Sequence, residues 1–264
     1  MKIKRISSQV VRLAVEEPLA GGPAYSRSNN LFVTVRLETE DGIEGLGGTF
    51  FGGMLSKTLK CAVEQLGELM IGADPLQIDS LTQKLRTAGA SAGPGGILTL
   101  AISAIDMALW DIKGKYLGQS LGTMLGGLRD RVPTYASGAL VRAYTLDHLL
   151  KAAPLLVEKG CRQMKTQLAL PGETTPQKEV ERARRVREAI GPDIDLMCDI
   201  NQRWSVHQAM EIGRRVEDVH FFWLEDATVH DDYTGLARVA DALATPLASG
   251  ECLYGITPFR HTVE

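Results

Sequence analysis

The chain has 264 residues, 44% hydrophobic and 23% charged, an ordinary globular composition with enough length to bury a substantial core. Lys plus Arg number 29 against 32 Asp plus Glu, a net charge of −3, which argues against nucleic acid as the main partner because phosphate binding needs a basic surplus on some face. No apolar run approaches the roughly 18 residues of a membrane span, and Met1 to Val10 contains no signal core, so the expectation is a soluble cytoplasmic protein with no membrane partner.

The first third reads as a small α+β unit. Residues 2–14 are a candidate strand, followed by a Gly- and Pro-rich loop from Leu19 to Asn30. Leu31, Val33, Val35 and Leu37 alternate with Phe32, Thr34, Arg36 and Glu38, the period of a half-buried strand. Asp41-Gly42 supplies a turn, and Ile43 to Phe50 returns as the second arm of a hairpin. Helical spacing follows over Lys57–Ile71 and Leu76–Ala88. Gly89 to Gly96 then breaks the pattern and leads into a long helix, Ile97–Tyr116, apolar on every side and expected to be buried between layers. The glycine run lacks the Gly-Lys-Ser/Thr ending of a phosphate loop and reads as a helix entrance.

From Val132 onward strands and helices alternate. The strands are 133–140, 162–170, 194–200, 221–225 and 246–251, and the helices between them 146–159, 176–190, 206–216 and 233–243. Repeated β-then-α units mean a parallel sheet with helices outside, either doubly wound or a (β/α)8 barrel, and no Gly-rich dinucleotide fingerprint follows the first strand. The expected organisation is an α+β N-terminal domain over residues 1–131 and a (β/α)8-type barrel domain over 132–264. A whole barrel takes about 250 residues. Only 133 follow Arg131, so the barrel is expected to be truncated after about its fifth strand.

Three strand ends finish with acids: Asp199, Glu225 and Glu251, each 26 residues after the last. Equivalent positions on neighbouring parallel strands lie side by side at the carboxyl end of the sheet, where three carboxylates repel one another unless a cation sits between them. Hard oxygen ligands from three strands suit Mg²⁺; the bland alternative is that each acid caps its following helix or pairs with an arginine. Lys165 and Gln167 share a face of the second barrel strand, and a mid-strand lysine is costly unless it meets an anion or carries a proton. Asn201 shares its face with Asp199, whereas Cys198 points to the helix layer. Cys61, Cys161, Cys198 and Cys252 form no Cys-x-x-Cys pair and read as reduced, mostly buried thiols. The five histidines lack zinc-hydrolase spacing; His230 and His261 read as surface residues.

With AGASAGPGG followed by AISAIDMALWDIKGK and LGGLRDRV, and with DIN, LED and SGE in that order, the chain resembles the enolase superfamily. Within it, the likeness is to the mandelate racemase/muconate lactonizing enzyme group, and Ala88 to Gly138 is similar to its galactarate/talarate dehydratase branch. The resemblance implies Mg²⁺-dependent abstraction of the proton α to a carboxylate in a small-molecule sugar acid, then β-elimination of water to a 2-keto-3-deoxy acid, with Lys165 catalytic and stabilising the enediolate. Asn201 and Gln167 would bind substrate, Asp199, Glu225 and Glu251 the metal, and loops 20–25 and 50–54 would close over the mouth. It also implies a homo-oligomer, and that the α+β N-terminal domain over residues 1–131 is a capping domain.

Two departures from the family pattern stand out. Gln167 replaces the second lysine of Lys-x-Lys, and an amide accepts no proton at neutral pH, which disfavours two-base racemisation. The family's histidine base has no counterpart among the histidines of this chain. The competing readings are a catalytically incomplete chain that binds metal without turnover, and a racemase, epimerase or cycloisomerase.

Overall fold

The computed structural model describes residues 1–13, 31–50, 54–172 and 174–264. The chain divides after Val132 into two compact units. The loop readings at 19–30 and 20–25, and the centre of the 50–54 loop, lie outside the described residues.

In the first unit, β1 (Ile3–Arg12), β2 (Leu31–Thr39) and β3 (Glu44–Thr49) form an antiparallel sheet in that order. The period-2 pattern of β2 buries Val33, Val35 and Leu37 completely. Gly42, at φ 80°, makes the tight turn into β3. Helices α1 (Ser56–Glu68), α2 (Ile78–Ala88) and α3 (Gly96–Leu117) follow, then a single turn, α4 (Leu121–Met124). The α3 helix is covered on one broad face, through Ala101, Ala104, Ile105, Ala108, Leu109 and Ile112. Its other side leaves Met107 and Tyr116 more than half exposed, so burial all round, expected from composition, is corrected: the small and branched residues gather on one stripe.

Glycines in β3 set how closely α3 approaches. A Cβ on Gly45 would lie 2.0 Å from the Ala108 carbonyl oxygen, and one on Gly47 would lie 1.9 Å from that of Ala104. The helix backbone therefore rests on the bare strand.

The second unit begins with β4 (Ala136–Leu140), α5 (Leu146–Glu158), β5 (Gln163–Gln167), α6 (Pro176–Ile190) and β6 (Asp195–Asp199). It continues with α7 (Val206–Arg215), β7 (Leu224–Glu225), α8 (Tyr233–Ala242), β8 (Leu247–Ala248) and α9 (Ile256–Val263). The five strands are parallel and lie in sequence order. Each of the helices α5 to α8 starts on a side-chain cap, from Thr145, Thr175, Ser205 and Asp232, the last with Gly235 as donor. Helix α9 was not anticipated. It buries none of its residues, and its apolar positions Ile256, Phe259 and Val263 are exposed.

Strand alternation decides which side chains face the site. Met164 and Thr166 of β5, and Leu196 and Cys198 of β6, are wholly buried, and all but Thr166 belong to the core formed with Leu149, Val180, Ala183 and Ile212 of the helices. Lys165, Gln167 and Asp199 take the other face. The four thiols are free, and Cys198 alone among them is buried. Cys61 is exposed because it falls between Leu59 and Val63, the buried stripe of α1; the expectation of mostly buried thiols is corrected accordingly. Among the described residues no helix is long and apolar enough to cross a membrane.

Gly47→Ala is expected to destabilise the first unit by about 3 kcal/mol or more, because backbone rather than a movable side chain meets the new methyl group. Urea unfolding checks this: a midpoint equal to that of the parent chain would show that α3 moves away at no cost.

Candidate functional site

The polar cluster of the second unit sits at the carboxyl ends of its strands. Sheet register puts Gln167 beside Asp199 and Asp199 beside Glu225. Lys165, one step back on β5, reaches across: its Nζ lies 2.6 Å from Glu225 Oε1 and 3.5 Å from Asp199 Oδ2. The three side chains are 11%, 14% and 5% exposed, respectively. The Tyr135 ring lies 5.6 Å from the Lys165 ammonium, and Trp223 Nε1 donates to Glu225 Oε2 at 3.0 Å. Burial by itself depresses the Lys165 pKa, but the Glu225 hydrogen bond and the charges of Asp199 and Glu225 overcome it and raise the net value.

Glu251 is placed differently from the equal-spacing expectation. The register partner of Glu225 on β8 is Ala248, and Glu251 follows three residues later in an exposed turn. Its carboxyl is nevertheless drawn into the cluster: burial raises its pKa first, then the charges of Asp226, Asp199 and Glu225, with Lys165 opposing. Asp226, 1% exposed, is raised by burial and by the same two carboxylates. Asp199 and Glu225 thus contact one lysine, with the charges of Asp226 and Glu251 close by, an arrangement that favours a bound divalent cation.

Asn201 and Gln167 are committed to protein partners. Asn201 donates through its backbone N–H and its side-chain amide to the two Asp199 carboxylate oxygens, both at 2.8 Å. Its Oδ1 accepts from Arg142 Nη1 at 2.7 Å and from Gln167 Nε2 at 3.1 Å. Gln167 Oε1 accepts the Arg142 backbone N–H at 3.2 Å. Arg142 also donates to the carbonyls of Leu168 and Asp199. His230 is half-buried, with Nδ1 2.8 Å from Gln202 Oε1, whereas His261 is exposed on α9 and rests 5.7 Å from the Tyr233 ring.

Sequence reasoning missed Arg142, Tyr135, Trp223 and Asp226. Trp223 was available, being two residues before Glu225 and hence on its face. Asp226 was hidden because alternation sends it away from Glu225; its φ of 46° breaks the alternation, as do those of Asn201 (49°) and Gln202 (63°).

Beneath this layer, α6 braces the loops. Glu179, fully buried, accepts the N–H groups of Ala169 and Leu170. Arg182 donates to the carbonyls of Val141 and Tyr144, and burial lowers its pKa to about 10. A cavity of about 800 Å³ in the first unit, lined by Leu46, Met107, Trp110 and Leu125, is mainly apolar; Asp111 and Lys115 on its wall pair with each other at 2.7 Å.

The mandelate racemase / muconate lactonizing enzyme N-terminal domain model matches residues 8–126, and an enolase C-terminal domain-like model matches residues 148–264. The chain is 31% identical over 264 residues to a 3,6-anhydro-alpha-L-galactonate cycloisomerase of Streptomyces coelicolor, covering 99% of this chain and 72% of that protein. It belongs to the mandelate racemase/muconate lactonizing enzyme family of the enolase superfamily. In family terms, the first unit is the N-terminal capping domain and the second the α/β barrel domain.

An L-talarate/galactarate dehydratase of Salmonella typhimurium is 34% identical over 228 residues, 86% of this chain; the chain spans 56% of that relative's length. Among solved structures, a racemase from Streptomyces coelicolor with bound magnesium superposes with a TM-score of 0.89 at 30% identity, over 99% of this chain and 72% of that one. An L-talarate dehydratase from Polaromonas sp. JS666, complexed with Mg and L-glucarate, gives 0.84 at 29% identity, over 99% of this chain and 70% of that one.

Arg182→Met is expected to destabilise the second unit by about 3 kcal/mol, since it strips donors from two buried carbonyls beside a buried carboxylate. Chemical denaturation with an unchanged slope would report it; a loss below about 1 kcal/mol would mean that water replaces the guanidinium.

Proposed function

We propose that this chain performs Mg²⁺-dependent dehydration of a sugar acid: loss of the proton α to the carboxylate, then departure of the β-hydroxyl as water, leaving a 2-keto-3-deoxy acid. The observation that carries this reading is the meeting of Asp199, Glu225 and Lys165 at the ends of three adjacent parallel strands, with Glu251 drawn in electrostatically. The residues fit a cation. The Asp199 and Glu225 carboxylates have one ammonium between them, and the neighbouring charge of Asp226, whose buried Oδ2 lacks a hydrogen-bond donor, adds to the negative potential there.

Asp199, Glu225 and Glu251 would hold the ion. When bound, the ion supplies positive charge opposite the substrate carboxylate, where the enediolate charge develops. Lys165 adds a second fixed positive charge at the same place and is the proposed catalytic residue. Asn201 fixes the rotamer of Asp199, so its contribution to substrate binding runs through that carboxylate as well as through its own amide. Gln167 accepts no proton at neutral pH, which disfavours a racemisation that needs a base on each face of the substrate.

Cycloisomerisation is the second reading, supported by the 31% identity to a cycloisomerase of which the chain covers 72%. Both reactions begin with the same proton abstraction, and the product mass separates them, because dehydration loses water and cycloisomerisation conserves mass.

The test is a panel of six-carbon aldonic and aldaric acids with and without Mg²⁺, read by keto-acid formation. The expected result is Mg²⁺-dependent product, lowered at least about 100-fold in kcat by Lys165→Ala. Calorimetric Mg²⁺ titration should show saturable binding that Glu225→Gln loses. Binding without product from any acid would favour the metal-binding, non-catalytic reading, and no binding by a folded chain would remove the carboxylate triad.

A further inference from the structure

Beside the proposed Mg²⁺ ligands lies a second set of donors. One ligand atom each from Asp226, Glu251 and Cys252 lies within 4.8 Å of the other two. Asp226 is 1% exposed; its Oδ1 accepts from Ser249 Oγ at 3.1 Å, and its Oδ2 is buried without a donor. Two carboxylates so placed repel each other unless a cation sits between them. Glu251 is exposed and Cys252 half-buried, which leaves an entry path from solvent.

The sulfur is already oriented. Gln202 Nε2 donates to Cys252 Sγ at 3.1 Å, so the thiol sulfur serves as an acceptor. The amide cannot flip freely, because Gln202 Oε1 lies 2.8 Å from His230 Nδ1 and also accepts the His230 backbone N–H at 3.0 Å. Hydrogen-bonded second partners of this kind hold a ligand atom in place.

We propose that Asp226, Glu251 and Cys252 form a binding site for a thiophilic divalent cation of the zinc class, distinct in its donor set from the all-oxygen site proposed for Mg²⁺ and sharing Glu251 with it. The selectivity follows from the sulfur, since a thiolate prefers Zn²⁺-type ions over Mg²⁺ and two carboxylates complete three protein ligands with one position open. Binding displaces the thiol proton to solvent and forms a metal–sulfur bond, with no change in oxidation state. Because Glu251 serves both sites, a zinc-class ion withdraws a ligand from the Mg²⁺ site and acts as an inhibitor of any Mg²⁺-dependent turnover. The inference goes beyond the proposed dehydration and does not need it.

The probe is Cd²⁺, whose bond to a thiolate gives an ultraviolet charge-transfer band, added to the full 264-residue chain carrying Cys61→Ser and Cys161→Ser. One equivalent is expected to bind with the band. Cys252→Ala and Cys252→Ser should each abolish the band and weaken binding by about 100-fold, and Asp226→Asn should weaken it about 10-fold. Circular dichroism selects the folded variants for comparison. A band that survives in either folded Cys252 variant, or a folded parent chain that gives no band, would overturn the site. Neither readout depends on Mg²⁺ binding or turnover, so failure of the dehydratase reading is seen separately.

Discussion

The organising constraint in the second unit is mutual repulsion among carboxylates. Asp199 and Glu225 are neighbours by sheet register, and their charges push up the pKa values of both Asp226 and Glu251, on top of burial. Left alone, ionised carboxylates at such separations would drive the strand ends apart or take up protons. The backbone ladder and the apolar core hold them together, with Met164, Leu196, Cys198 and Leu224 anchoring the reverse faces of the same strands. Lys165 offsets part of the charge, and its short contact to Glu225 is a consequence of that imbalance. A site under such tension favours whatever brings more positive charge, which is why its geometry reads as a cation site.

The loops that carry these acids need support, because each leaves the sheet with unpaired backbone groups. Helix α6 supplies it from below: Glu179 collects two N–H groups after β5, and Arg182 covers two carbonyls after β4. Both are buried three residues apart on one helix, where the Glu179 charge offsets part of the desolvation of Arg182. The strand ends are thus fixed by a second charged layer that never touches the acids themselves.

Much of this was legible in the sequence because it follows simple periods. The five strands, their intervening helices, the Lys165–Asp199–Glu225 face and the inward turn of Cys198 all come from alternation and βα spacing. The misreadings have local causes. Equal 26-residue spacing placed Glu251 in register, yet the connection from β7 to β8 is shorter, so Ala248 takes that position and the acid sits in the following turn. Asp226 and Gln202 enter the cluster through left-handed backbone conformations that no alternation rule anticipates. Arg142 is a long side chain whose reach to Asn201, 59 positions away, is decided by tertiary packing.

The glutamine at position 167 has a structural meaning beyond the missing base. It donates to Asn201 and accepts from the Arg142 backbone N–H, and Asn201 in turn clamps both oxygens of Asp199. A lysine there is able to donate but has no acceptor, so the Arg142 N–H would lose its partner and the ammonium would add a charge beside the Arg142 guanidinium. Gln167 and Arg142 therefore form a matched pair, in which the arginine supplies positive charge to the amide network and the glutamine fixes the loop that carries it. The departure from Lys-x-Lys is compensated by hydrogen bonds within the site, which tie position 167 through Asn201 to Asp199.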